Sequence, residues 1–92
     1  MSETILQEAH RLIYGDRQGD YGHPFDDYSR TVATFNALTG QALTPEQGVL
    51  FMVCVKLSRQ QNKTKRDNLV DAAGYVGLLE MCEQRRREMS EK

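Results

Sequence analysis

The stretch from Thr44 to Leu57 limits what this chain can fold into more than any other. Thr44, Pro45 and Gln47 supply an N-cap, a first-turn proline and an acceptor at N3, the chemistry of a helix start. Val49, Leu50, Phe51, Met52, Val53, Cys54, Val55 and Leu57 then follow with one polar interruption. A buried strand would also be apolar on both faces, but the cap and the length favour a helix. A helix that is apolar around its whole circumference packs on several sides. This segment is therefore expected at the centre of an all-α fold.

The rest of the chain carries helix signals of the same kind. Thr4 with Gln7 reads as a capping box, and Ile5, Ala9, Leu12 and Ile13 recur at helical spacing until Gly15. Residues 15–24 hold Gly15, Gly19, Gly22 and Pro24 and read as a loop. Pro24 opens a second helix at its first position, with Asp26 and Asp27 in the favourable field of the N-terminus. Tyr28, Val32, Phe35 and Leu38 continue its apolar face, and Gly40 ends it. The Thr44 segment is the third helix, followed by a polar connection from Gln60 to Lys65. Thr64 with Asp67 at N3 is expected to open a fourth helix, continued by Leu69, Val70, Ala73, Val76, Leu79 and Cys82. Gly74 and Gly77 each cost this helix about 1 kcal/mol relative to Ala. With Ala73 they make a small-residue surface, suited to close approach of a neighbouring helix or to a flat ligand. From about Gln84 the tail is charged on all sides and reads as a fraying, solvated end. The expected architecture is a compact all-α bundle of about four helices, one domain over residues 1–92, with helices three and four an antiparallel hairpin.

Composition narrows the function classes. A net charge of -1 over 92 residues provides no field that draws in DNA or a membrane surface. Neither is expected as a partner. No apolar run reaches membrane-spanning length and no signal peptide is evident, so a cytoplasmic protein with reduced thiols is expected. Cys54 and Cys82 sit in apolar runs, where free thiols behave as small hydrophobes. No CxxC pair or Cys/His cluster suggests zinc. A domain this short has a thin core, so a homo-oligomer is expected.

Two groups of residues can carry chemistry. Lys56 and Arg59, three apart, share one face of the third helix, and charges embedded there need partners. Asp67 and Asp71, four apart, share a face of the fourth. In an antiparallel hairpin, Arg59 with Asp67 and Lys56 with Asp71 are both centred near residue 63, so both pairs can meet at once. They form either interhelical salt bridges or a polar site whose cations hold phosphate and whose carboxylates hold a ribose or a metal ion. Mg²⁺ sites are commonly built from one or two carboxylates plus substrate phosphates. The second group is the glycine-cushioned run Arg17-Gln18-Gly19-Asp20-Tyr21-Gly22-His23-Pro24. Tyr21 can stack on a base, Arg17 can fork onto a phosphate, and His23 can donate to phosphate or act as a general acid. Alternatively, Asp20 bonds local amides and His23 caps the next helix. Asp26 and Asp27 are accounted for by the helix dipole. No glycine-rich phosphate loop, nucleophile elbow or HExxH is present.

The strings Asp20-Tyr21-Gly22-His23-Pro24, Lys56-Leu57-Ser58-Arg59 and Arg66-Asp67-Asn68-Leu69-Val70-Asp71-Ala72-Ala73-Gly74-Tyr75 resemble a family of small phage and prophage proteins of unknown function, over roughly residues 5–82. The pattern is also loosely similar to MazG-like all-α nucleotide pyrophosphohydrolases, which hold Mg²⁺ with an ExxE pair on one helix and an ExxD pair on the next. Asp67 and Asp71 stand in place of the second pair, while Lys56 and Arg59 stand where the first would be. That departure argues against metal-dependent hydrolysis and leaves nucleotide or phosphate binding standing. If phage-encoded, the protein would act in the host cytoplasm. Phages also encode small oligomeric proteins that sequester the nucleotide signals of bacterial immunity, and this chain has the size and the cation-plus-aromatic content for that role.

The expectation is a binder of a nucleotide-like phosphorylated small molecule that holds its ligand without turnover, with no catalytic residue, cofactor or resident metal. Arg17, Asp20, Tyr21, His23, Lys56, Arg59, Asp67 and Asp71 are the expected ligand-binding residues. The alternatives are a MazG-like hydrolase holding Mg²⁺ on Asp67 and Asp71, with Asp26 or Asp27 as further candidates, and a helical interaction protein whose charged clusters are structural.

Overall fold

The computed structural model describes residues 2–91, Asp16 by its backbone alone. Met1 and Lys92, which belong to the expected domain, lie outside the described residues. Among these residues there is no strand. The chain runs through α1 (Ile5–Tyr14), α2 (Asp16–Tyr21), α3 (Pro24–Thr39), α4 (Pro45–Asn62) and α5 (Arg66–Ser90). The all-α bundle and the antiparallel pair, α4 with α5, are as expected. The expected loop is not: its first half winds into the six-residue α2. Glycine content had masked the helix there, since Gly19 is tolerated in its interior.

Local side-chain chemistry sets most helix starts. Thr4 Oγ1 accepts the Gln7 N–H at 3.1 Å while Gln7 Oε1 accepts the Thr4 N–H at 2.8 Å. Thr44 and Gln47 make the same reciprocal pair at 3.2 and 2.9 Å. Each satisfies two amides that a helix start leaves open. Gly40 ends α3 in the left-handed conformation with φ 73°, which glycine adopts without a side-chain clash. The start of α5 corrects the sequence reading. Lys65, not Thr64, is the N-cap, and its side chain makes no capping bond. Gln60 Oε1 instead accepts the Lys65 N–H at 2.9 Å and the Asn68 amide at 3.2 Å. This brace from α4 holds the turn and delays the helix by one residue.

The core joins Ile13, Tyr28, Val49, Leu78 and Cys82 from α1, α3, α4 and α5. Leu78 and Val49 are fully buried, and truncating such a leucine to Ala costs about 2–5 kcal/mol. The central helix is α5, which packs against α1, α3 and α4. This overturns the expectation that α4 would be central. Its small residues are the reason: a Cβ added at Gly77 would lie 2.5 Å from Ile13 Cδ1, so α1 settles closely onto the α5 backbone. In contrast, α4 leaves Leu50, Phe51, Cys54 and Leu57 exposed.

The tail is also corrected. Rather than fraying from Gln84, α5 continues to Ser90. Arg85 Nη1 reaches Asp26 Oδ1 of α3 at 3.2 Å, and Arg86 grips Glu46 of α4 with two bonds of 3.0 Å. Both guanidinium groups lie over the Phe25 ring, 5.8 and 4.9 Å from its centre. No helix among the described residues is long and apolar enough to cross a membrane.

Candidate functional site

The helical turn of α2 places Arg17 and Tyr21 four residues apart on one face. The Arg17 guanidinium lies 4.9 Å from the centre of the Tyr21 ring and 5.6 Å from that of Tyr75 on α5. Arg17 Nη2 is also 3.7 Å from Asp27 Oδ2 of α3. Two aromatic faces and a carboxylate thus hold a single guanidinium in one orientation, a combination of cation–π and charge attraction. Beneath it, burial and the neighbouring Tyr75 hydroxyl hold the Tyr28 phenol well above its ordinary range, so Tyr28 stays a neutral donor.

Arg17, Tyr21 and Tyr75 rim a cavity of about 370 Å³ between α1, α2 and α5. Arg17, Asp20, Tyr21, Asp71 and Tyr75 supply its polar and aromatic wall, and Gly74 part of its lining. Of the two purposes anticipated for the small-residue surface of α5, close approach of a neighbouring helix is met: an added Cβ would lie 2.5 Å from Ile13 at Gly77 and 3.4 Å from it at Gly74. Tyr21 keeps about half of its surface exposed.

A second cavity of about 510 Å³ opens at the α4–α5 turn. Lys56, Arg59, Lys63 and Lys65 line it, with Asp67 and Asp71 as its acids. Lys56 Nζ meets Asp71 Oδ2 at 3.0 Å, as the hairpin register requires. Arg59 and Asp67 line the same cavity but form no ion pair. Asp71 lines both cavities and connects the aromatic site with the cationic one.

His23 lines neither. Its Nδ1 accepts the Phe25 N–H at 3.0 Å and caps α3. Burial, then the nearby Arg85 charge, lowers its pKa below the ordinary value of 6.5, which keeps the nitrogen unprotonated as the cap requires. Cys82 is equally withdrawn, burial pushing its thiol up to about 11. No group of three or more His, Cys, Asp or Glu side chains among the described residues is placed to hold a metal ion. Of the expected ligand-binding residues, Arg17, Asp20, Tyr21 and Asp71 come together in one cavity, and Lys56, Arg59, Asp67 and Asp71 in the other. Sequence reasoning missed Tyr75, although it stands one helical turn after Asp71. It also missed Lys63 and Lys65, which looked like a solvated connection.

Residues 4–83 match the family described as "Domain of unknown function (DUF6378)". The chain belongs to this family. It is similar to the "Gene 55 protein" of Mycobacterium phage D29, 35% identical over 81 residues that cover 87% of this chain and 54% of that protein. It is likewise 35% identical over 79 residues to the "Gene 55 protein" of Mycobacterium phage L5, covering 84% of this chain and 51% of that protein. The chain thus spans about half the length of these curated relatives. The relatives bear out the resemblance to small phage proteins. No solved structure matches.

Proposed function

We propose that this phage-type protein binds a nucleotide-like phosphorylated small molecule across its two cavities and holds it without turnover. The observation that carries this reading is the sharing of Asp71 between an aromatic, guanidinium-bearing cavity and a cation-lined one. A base stacks on the exposed face of Tyr21, with Arg17 and Tyr75 behind it. Asp20 and Asp71 accept from ribose hydroxyls, and the phosphate lies toward Lys56 and Arg59. Guanidinium and ammonium groups form the stronger, charge-assisted hydrogen bonds with phosphate oxygens. A protein that binds in this way is suited to sequestering a nucleotide signal in a host cytoplasm, including one used in bacterial immunity.

Homo-oligomerisation belongs to the same proposal. Leu50, Phe51, Cys54 and Leu57 lie along one strip of α4, carry no charge, and face solvent. A second copy meeting this strip brings no like charges together there, as a self-complementary interface requires. Sedimentation of the wild type and of Leu57→Glu tests it: the wild type should sediment as an oligomer and the variant as a lighter species. A wild type that stays monomeric at high concentration ends the oligomer reading.

Calorimetry with a panel of linear and cyclic nucleotides tests the ligand reading. Wild type should bind at least one member below millimolar concentration, and Arg17→Ala and Tyr21→Ala should weaken it. Failure of every nucleotide would leave the helical interaction protein as the better account. Binding accompanied by Mg²⁺-dependent release of pyrophosphate would replace sequestration with hydrolysis, with Asp67 and Asp71 as the metal-holding candidates.

A further inference from the structure

Arg17, Arg30, Lys56, Arg66, Arg85 and Arg86 each lie within 4.0 Å of a carboxylate. Among the described residues, Arg59, Lys63 and Lys65 have no such partner, and all three line the cavity at the α4–α5 turn. Arg87, the other cation without one, stands on the exposed end of α5. Unmatched positive charge is thus concentrated in one concave place on a chain whose net charge is -1. Asp67 and Asp71 line the cavity as well, but Lys56, Arg59, Lys63 and Lys65 outnumber them, and a concave surface with net positive charge raises the local concentration of anions.

We infer that this cavity is a binding site for a linear oligophosphate, two or three linked phosphates long. The backbone positions of these cations are spread along the turn. Arg59 and Lys63 stand one helical turn apart, about 6 Å along the axis, and Lys65 lies beyond the turn. A chain of phosphates presents more oxygens to such a row than a single phosphate does, so each further phosphate adds charge-assisted contacts. At about 510 Å³ the cavity has room for such a chain. The floor is held in place independently of ligand, by the Lys56–Asp71 bridge and by Gln60 bracing Lys65 and Asn68. The anion is either free or the tail of a nucleotide whose base occupies the aromatic cavity. Only the second case rests on the function proposed above.

Calorimetry with sodium tripolyphosphate, pyrophosphate and orthophosphate, each against sulfate at matched ionic strength, tests the inference. Tripolyphosphate should bind saturably, one per chain, and about tenfold or more tighter than orthophosphate. Lys63→Gln combined with Lys65→Gln should weaken it by about tenfold or more, the loss expected for two charge-assisted contacts. Tyr21→Ala should leave it unchanged. Both lysines are exposed, and circular dichroism confirms that the double variant is folded. Tripolyphosphate heats no larger than those of sulfate, or affinity indifferent to the lysine changes, would overturn the site. So would a single-stranded oligonucleotide that binds there more tightly than tripolyphosphate, since the site would then serve a nucleic-acid backbone. Tripolyphosphate binding with no nucleotide binding sinks the nucleotide reading and keeps this site. Nucleotide binding that needs Tyr21 but ignores Lys63 and Lys65 does the reverse.

Discussion

The two ends of α5 both gather cations but treat them differently. At the C-terminal end, Arg86 makes a two-bond pair with Glu46, Arg85 reaches Asp26, and both lie over Phe25. At the N-terminal end, Arg59, Lys63 and Lys65 surround a cavity without a carboxylate within bridging distance. Charges of the first kind tie α5 to α3 and α4. Charges of the second kind hold nothing together, so their replacement should leave the fold intact. The difference separates positive charge spent on architecture from positive charge left available to an anion.

The sharpest test of this contrast reverses the turn. Lys63→Glu with Lys65→Glu should weaken binding of a phosphorylated ligand by about 100-fold or more, as charge-assisted contacts become repulsive. The thermal midpoint should stay close to that of wild type. A large loss of stability with affinity preserved in the folded fraction would erase the distinction between the ends.

Next in size is the aromatic cavity. Tyr21→Ala should weaken nucleotide binding by roughly 1–3 kcal/mol, the range for a base on an aromatic platform. Calorimetry should show tripolyphosphate unaffected. Equal losses for both ligands would mean that the two cavities do not act separately.

The matched end predicts losses of stability instead. His23→Ala removes the α3 cap and should cost about 1 kcal/mol in urea denaturation, with binding unchanged. The pH dependence has a definite sign. The folded His23 pKa is lowered from 6.5, so below that value the unfolded chain binds more protons than the folded one. Stability should therefore fall as pH drops from 6.5 through the folded value, and His23→Asn, which keeps an N-cap without titrating, should flatten that step. Glu46, held below its ordinary 4.5 mainly by its bonds to Arg86, contributes stability above pH 4.5 that is lost at more acidic pH.

The smallest effect belongs to the exposed pair itself. Arg86→Met should lower the thermal midpoint by a few degrees at most, since exposed ion pairs are worth little. Most of that change should vanish when Glu46→Gln is already present. A full-sized effect in the Glu46→Gln background would assign the loss to the Phe25 contact rather than to the ion pair.

Much of this molecule was legible along the chain, and the limits have a common cause. The capping boxes at Thr4 and Thr44 and the proline start of α3 are contacts between residues a few positions apart, so their residues announce them. The Lys56–Asp71 bridge was legible too, because a short turn determines the hairpin's register. The aromatic cavity was half legible. Arg17 and Tyr21 stood out as chemistry-bearing residues, but Tyr75 joins them only because α2 is helical and lies against α5.

By itself the sequence determined an all-α chain, the helix starts at Thr4, Pro24 and Thr44 and the pairing of Lys56 with Asp71, since these depend on local hydrogen bonds and one short connection. Only the tertiary structure decided which helix is central. The apolar content of α4 pointed one way, yet the close approach at Gly77 put α5 there. It also decided which cations are neutralised. Arg86 finds Glu46 across 40 positions and Arg85 finds Asp26 across 59, whereas Lys63 and Lys65 find no carboxylate. The physical reason is that ion pairing depends on a separation of a few ångströms in space, and spacing along a chain predicts that separation only where a helix or a tight turn enforces it.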